Sequence, residues 1–300
     1  MEIIFLGTSS AIHSKERNHP SIAIKAFGEV ILFDCGEGTQ KQILFTKVSP
    51  MKISKIFITH YHGDHILGLP GLLQSMSLNG RENKLTIYGP KGLNKIKDAI
   101  YGFGYCAINF PVDFIEISSG IIIDNDEYTI TSQQVKHNVL SLAYSIEEKK
   151  KPRFLREKAI ELGVPIGPDF GKLHNGEEVE VDGKIIKPEQ VLGPARTGIK
   201  ISYSGDTKPC EEMIYLARES TILIHEATFL KKDKMNAEEY GHSTSIDAAQ
   251  IALESNSKQL ILTHFSTRYD YEYNNKLLSE AKEIFKNTKI AKDLMKIEIN

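Results

Sequence analysis

The stretch Thr59-His60-Tyr61-His62-Gly63-Asp64-His65 constrains this chain more than any other. Three imidazoles and one carboxylate crowd between His60 and His65, immediately after the apolar run Ile56-Phe57-Ile58. That run reads as a buried strand, and Leu67-Gly68-Leu69 with Leu72-Leu73 reads as the start of an apolar helix face. A tight strand-to-helix loop lets alternate residues point to one side, so the four side chains can converge on a cation. Imidazole and carboxylate suit Zn²⁺ and, less well, Mn²⁺ or Fe²⁺. Capping and hydrogen bonding would account for one such histidine, but not for H-x-H-x-D-H at a strand end.

The rest of the composition sets wide limits. With 300 residues, 41% hydrophobic and 25% charged, the chain can bury one large core or two modest ones and is not a disordered polymer. A formal net charge of -2 does not mark a nucleic-acid binder, so any RNA or DNA must be held by a local basic patch. Cys35, Cys106 and Cys210 are odd in number, far apart and without a C-x-x-C pair. They read as free thiols of a reducing cytosol. Met1 to Leu6 begins a strand at once, without a basic region and a long apolar segment. No stretch approaches the roughly 20 apolar residues of a membrane span. The expectation is a soluble, cytoplasmic protein with no membrane partner and no nucleotide cofactor.

In the first third, short strands alternate with tight turns: Ile3 to Leu6, Ser21 to Lys25 and Val30 to Phe33, the last two joined as a hairpin around Gly28-Glu29. A helix over Gln40 to Phe45, the His-rich loop and a helix to about Ser77 follow. Then come a strand over Leu85 to Tyr88, a helix over Lys91 to Tyr101, and strands over Val112 to Ile117, Glu127 to Gln133 and Leu142 to Ile146. From Glu147 to Arg196 apolar periodicity fades and Gly-Pro pairs stand at Gly167-Pro168 and Gly193-Pro194. So long an interruption in a compact domain projects or serves a function. The core pattern resumes with strands over Ile199 to Tyr203, Ile222 to His225 and Gln259 to Thr263, and helices over Glu211 to Arg218, Ser245 to Glu254 and Glu272 to Phe285. The expected fold class is α/β: one domain over residues 1–300, with helices outside two packed mixed sheets and an inserted arm at 147–196.

Three later positions repeat the signature of a polar ligand just after a strand. His137 follows Ile130 to Val135, Asp206 follows Ile199 to Tyr203, and His264 follows Leu260 to Thr263. Strands fix position while loops present side chains, which is why active sites collect at such ends. With the first motif they make seven ligands, enough for two metals sharing one carboxylate.

The chain resembles the metallo-β-lactamase-fold hydrolases, and among them ribonuclease Z, which trims the 3′ end of precursor tRNA. The resemblance runs over essentially the whole chain, through Phe5-Leu6-Gly7-Thr8-Ser9, Thr59 to His65, Ser204-Gly205-Asp206-Thr207, His225-Glu226-Ala227-Thr228, His242-Ser243-Thr244 and Leu262-Thr263-His264. It implies a four-layer αββα sandwich carrying a projecting arm. It implies two Zn²⁺ per subunit, one on His60, His62 and His137, the other on Asp64, His65 and His264, with Asp206 bridging; Mn²⁺ or Fe²⁺ are the expected substitutes. A metal-activated hydroxide would attack the phosphodiester, with Asp64 orienting or deprotonating the water. His242 would protonate the leaving 3′ oxygen, held and polarised by Glu226. His225, adjacent to Glu226 on a strand, should point the other way. His13, His19 and His174 read as solvated or structural.

The substrate side of the resemblance is precursor tRNA. Ser14 to Asn18 matches most of a loop written P-x-K-x-R-N, with His13 in place of the proline, and offers Lys15 and Arg17 to phosphate. The arm offers Lys149, Lys150, Lys151, Arg153 and Arg156, and its Gly167-Pro168 resembles a glycine-proline motif. Shape and phosphate recognition of this kind needs no base-reading code. A homodimer is also implied. The competing readings are another phosphodiesterase or small-molecule hydrolase of the same fold, against which the arm and the HEAT and HST segments argue, and a non-catalytic tRNA-binding protein, which would lose ligands that are all present.

Overall fold

The computed structural model of the protein describes residues 1–105, 107–269 and 273–299, so Cys106 and the expected helix start at Glu272 lie outside the described residues. The chain divides into two compact units, Met1–Glu147 with Ile199–Asn300, and Glu148–Gly198.

In the larger unit the chain order is β1 (Glu2–Gly7), β2 (Ser21–Ala26), β3 (Glu29–Phe33), α1 (Thr39–Ile43), β4 (Ile53–Phe57), α2 (Gly63–Ile66), α3 (Leu69–Leu78), β5 (Leu85–Gly89), α4 (Leu93–Gly102), β6 (Val112–Glu116), β7 (Gly120–Asp124), β8 (Tyr128–Val135) and β9 (Ser141–Glu148). The smaller unit holds α5 (Arg156–Glu161), α6 (Pro168–His174), β10 (Val179–Val181), β11 (Lys184–Ile186) and α7 (Pro188–Val191). The larger unit resumes with β12 (Lys200–Tyr203), α8 (Glu211–Ala217), β13 (Ile222–Glu226), α9 (Lys234–Tyr240), α10 (Ser245–Glu254), β14 (Leu260–Thr263), α11 (Tyr273–Ile284), β15 (Thr288–Ile290) and β16 (Lys296–Glu298).

One sheet runs β16-β1-β2-β3-β4-β5-β6 and the other β15-β14-β13-β12-β9-β8-β7. Strands such as Glu2-Ile3-Ile4-Phe5-Leu6-Gly7 are apolar almost throughout because both faces are covered. Ile3, Phe5, Phe33 and Phe57 of the first sheet meet Tyr144, Tyr203 and Ile224 of the second in a shared core. On the outer faces, Leu69, Leu72 and Leu73 of α3 cover the first sheet, while Met213 of α8 and Ala248 and Ala249 of α10 cover the second. This is the four-layer αββα sandwich that the sequence implied.

Both sheets are mixed, and the mixing positions the site. β3 and β4 run parallel, as do β12, β13 and β14, so the carboxyl ends of each set lie along one sheet edge. Each of these five strands ends at, or just before, a polar residue: Asp34, Thr59-His60, Asp206, Glu226 and His264.

The smaller unit has its own core of Ala159, Val164, Leu173, Val179, Ile186 and Val191, flanked by Phe154 and Phe170. Its helices and strands span three to seven residues, too short for the sequence to show a period. The same shortness hid the three-residue edge strands β15 and β16. The helix α9 escaped sequence reading because its Lys-Met-Asn-Ala-Glu-Glu-Tyr segment buries only Ala237.

Candidate metal centre

The site begins with the loop after β4. Thr59 N donates to Asp34 Oδ1 at 2.8 Å, and His62 stands in extended conformation just before α2, whose first turn carries Asp64 and His65. Gly205 turns the chain from β12 into Asp206 at φ +56°, where an added Cβ would lie 2.8 Å from Thr59 Cγ2. His264 itself adopts φ +61°, uncommon for a residue with a side chain. Gly241 ends α9 at φ +80° and delivers His242.

These loops bring all seven sequence-predicted ligands into two adjoining groups. His60, His62, His137 and Asp206 present ligand atoms within 4.8 Å of one another, as do Asp64, His65 and His264. Asp206 belongs to both neighbourhoods: Oδ2 lies 3.6 Å from His60 Nε2 and 3.4 Å from His65 Nε2, and Oδ1 lies 3.3 Å from His264 Nε2. His65 and His264 Nε2 each lie 3.4 Å from Asp64 Oδ2. His60 Nε2 and His62 Nδ1 face each other at 2.9 Å, and His137 Nε2 lies 3.4 Å from the same His62 nitrogen. His62 is exposed and His137 half-buried, which opens the site on that side.

Hydrogen bonds behind the rings set which nitrogen looks inward. His65 Nδ1 donates to Asp34 Oδ2 at 2.8 Å, and His137 Nδ1 donates to the Gly241 carbonyl at 2.7 Å. His60 Nδ1 lies 3.0 Å from Thr59 Oγ1, and His264 Nδ1 lies 2.9 Å from Thr228 Oγ1. In each case Nε2 is the nitrogen left facing the cluster, the one through which a metal-ligating imidazole would bind. Tyr203 OH also donates to Asp34 Oδ2 at 2.9 Å.

Charge follows this geometry. Burial opposes ionisation of Asp206, yet the imidazoles of His264 and His65 hold it well below the usual carboxylate range. Asp64 is likewise held far down, against its burial, by His65 and His264. Burial and the neighbouring His65 push His60 well below the ordinary imidazole value. Burial pulls His65 down too, but the carboxylates of Asp206, Asp64 and Asp34 outweigh it and raise the ring well above that value.

The donor set fits a divalent cation. Asp206 Oδ1 is buried without a hydrogen-bond partner while it faces an imidazole nitrogen. Inward-facing ring nitrogens with ionised carboxylates between them are the nitrogen-and-oxygen environment that such an ion satisfies.

Beside this cluster, His242 Nδ1 donates to Glu226 Oε1 at 2.8 Å, and its ring lies 5.1 Å from that of His137 and 5.4 Å from that of His264. Glu226 is fully buried, and it also accepts from Thr207 N at 2.9 Å and Thr228 Oγ1 at 2.6 Å. Burial opposes protonation of His242, but Glu226 outweighs it and lifts the ring to about 9.

The other residues singled out in the sequence fall as follows. Lys15 is exposed, whereas Arg17 is buried: its guanidinium donates to Thr8 Oγ1 and to the Ala291 carbonyl at 3.0 Å and stacks over Phe265 at 4.4 Å. Five donors in a rigid fork suit such a task, and the guanidinium is committed to the fold. Lys149, Lys151, Arg153 and Arg156 are exposed and Lys150 half-buried, and Gly167-Pro168 is exposed at the start of α6. His225 is fully buried with Nδ1 on the Glu226 carbonyl at 2.8 Å, His13 is exposed, His19 is buried, and His174 lies 3.0 Å from the Pro152 carbonyl. Sequence reading missed Asp34 and Thr228. Asp34 follows β3 as the other ligands follow their strands, so the same signature could have found it; Thr228 carries no such signal.

Comparison with known proteins agrees with this geometry. Residues 1–97 match the family model described as anti-Pycsar protein Apyc1, and residues 174–265 match that of the beta-lactamase superfamily domain. Ribonuclease Z of Methanothermobacter thermautotrophicus is 51% identical over 299 residues, covering 100% of this chain and 97% of that protein. Ribonuclease Z of Methanosarcina mazei is 43% identical, covering 100% and 98%. Among solved structures, the short form of human tRNase Z superposes with a TM-score of 0.73 at 28% identity, covering 100% of both chains. With one shared buried carboxylate between two groups of inward-facing ligands, and with such identity along its whole length, the chain belongs to the ribonuclease Z family of metallo-β-lactamase-fold hydrolases.

Proposed function

We propose that the protein is a zinc-dependent endoribonuclease that removes the 3′ trailer of precursor tRNA and leaves a 3′-hydroxyl on the tRNA. The observation that carries this reading is Asp206, a buried carboxylate within 3.3 to 3.6 Å of imidazole nitrogens from both ligand groups, with the His242–Glu226 pair beside it. The names of the relatives support the tRNA substrate.

His60, His62 and His137 would hold one cation and Asp64, His65 and His264 the other, with Asp206 shared; zinc suits the nitrogen-rich set, and Mn²⁺ or Fe²⁺ could substitute. Bound cations would supply Lewis-acid charge to the phosphate and make water nucleophilic at neutral pH. Asp64, held as a carboxylate, would orient the attacking water or take its proton. His242 carries a proton at neutral pH and gives it to the leaving 3′ oxygen as the phosphorus–oxygen bond breaks, so the trailer departs with the phosphate. Glu226 fixes the His242 ring through Nδ1 and leaves Nε2 toward the reacting bond.

Lys15 and the basic segment of the smaller unit, Lys149, Lys150, Lys151, Arg153 and Arg156, with Gly167-Pro168, would grip the folded tRNA by phosphate and shape. Family resemblance also carries a homodimer, which sedimentation of the zinc-loaded protein tests. The decisive experiment maps the cut in an end-labelled precursor tRNA. Cleavage just 3′ of the acceptor stem is expected, and binding without cleavage by the metal-loaded protein would overturn the assignment.

A further inference from the structure

One buried hydroxyl touches both halves of the centre. Thr228, 4% exposed and just after β13, places Oγ1 2.6 Å from Glu226 Oε2, 2.9 Å from His264 Nδ1 and 3.5 Å from His242 Nδ1. A hydroxyl has one proton to donate and lone pairs to accept with. Glu226 is the meeting point of donors from Thr207 N, Thr228 N and His242 Nδ1, so its carboxylate is the acceptor and the Thr228 proton points to it. Toward His264 the hydroxyl therefore accepts. The ring proton of His264 is then on Nδ1, and the Nε2 lone pair is left toward Asp64 Oδ2 and Asp206 Oδ1, at 3.4 and 3.3 Å.

We propose that Thr228 is a positioning residue that ties the proton-donating His242–Glu226 pair to the ligand His264, fixing the carboxylate orientation of the one and the tautomer of the other through a single hydroxyl. The proposal rests on the reading of His264 as a metal ligand. It predicts that metal affinity and the proton-transfer step are coupled through a side chain that touches neither metal nor substrate.

Thr228→Val keeps the shape and removes the hydroxyl, leaving His264 Nδ1 without its partner and Glu226 with one donor fewer. Zinc affinity, measured by competition with a chromophoric chelator well below the unfolding temperature, is expected to fall about 10- to 100-fold, the range for lost partners of metal-ligating residues. Thr228→Ser should restore most of it, and kcat for Thr228→Val should fall more than KM rises. A purely structural role would lower thermal stability and leave zinc affinity and the kcat-to-KM split unmoved. Wild-type zinc affinity in Thr228→Val, with zinc lost in His264→Ala, overturns the role of Thr228 alone. Zinc retained in His264→Ala overturns the ligand reading itself. A measurement on the wild-type protein serves where Thr228→Val does not fold: with ¹⁵N-histidine labelling and before zinc is added, Nδ1 of His264 should be protonated and protected from exchange. A bare Nδ1 refutes the proposal.

Discussion

His65 Nδ1 donates to Asp34 Oδ2 at 2.8 Å, and neither side chain has any exposed surface. The bond leaves His65 Nε2 as the atom that faces Asp64 and Asp206. Asp34 also accepts from Thr59 N, Thr59 Oγ1 and Tyr203 OH, so one carboxylate joins the ends of β3, β4 and β12 behind the ligands.

Asp34→Asn preserves shape but puts an amide donor or a neutral acceptor where His65 needs a carboxylate. Zinc affinity is expected to fall about 10- to 100-fold, read by chelator competition, and Asp34→Ala should lose folding stability as well. Unchanged affinity in Asp34→Asn would show that the His65 ring is held by other means.

His242→Ala is expected to slow cleavage of precursor tRNA by about 10² to 10⁴, with zinc content and tRNA binding close to wild type. Metal analysis and single-turnover kinetics check this. Cleavage at the wild-type rate rules His242 out as the proton donor.

Removal of residues 148–198 tests the smaller unit. Glu147 and Lys200 are paired neighbours on antiparallel β9 and β12, so a short turn can rejoin the larger unit without moving either strand. Hydrolysis of bis(p-nitrophenyl) phosphate should stay within several-fold, while KM for precursor tRNA rises on the order of 10²-fold and its salt dependence flattens as phosphate contacts are lost. Equal losses on both substrates would place the unit's role in the chemistry rather than in the grip.

Glu29 gives a pH-dependent contribution to stability. Burial opposes its ionisation, but Lys55, Ser54 and Tyr128 all bond to its carboxylate and bring its pKa below the ordinary value. A depressed folded-state pKa means that the stabilisation is complete above the unfolded value, about 4.3, and fades as pH falls through the folded one. Glu29→Gln is therefore expected to lower stability at pH 7 by about 1 to 3 kcal/mol, with the difference from wild type shrinking below pH 4. Denaturant titrations at both pH values measure it, and a difference that stays constant with pH would show that the contribution is not ionic.

Much of the site was legible because His60, His137, Asp206 and His264 each stand within three residues of the end of an apolar strand, and His62, Asp64 and His65 crowd into the loop behind the first of them. Arg17 shows the limit of such reading. Its charge and its loop suggested phosphate, yet its guanidinium is buried against Thr8, Ala291 and Phe265, which are remote in sequence. The segment 148–198 looked irregular because its elements are short, although it closes a core of its own.

The sequence by itself determined the longer strands and helices, the inventory of candidate ligands and the kind of ion they suit, because hydrophobic periodicity and ligand chemistry are properties of neighbouring residues. Only the tertiary structure brought Asp206 within 3.6 Å of imidazoles from both groups, set His65 Nδ1 on Asp34 and His264 Nδ1 beside Thr228, and gave the expected His242–Glu226 pair its 2.8 Å contact. Those are relations of a few ångströms between residues tens to hundreds of positions apart. They exist only once two sheets have packed and the carboxyl ends of their parallel strands have been brought together.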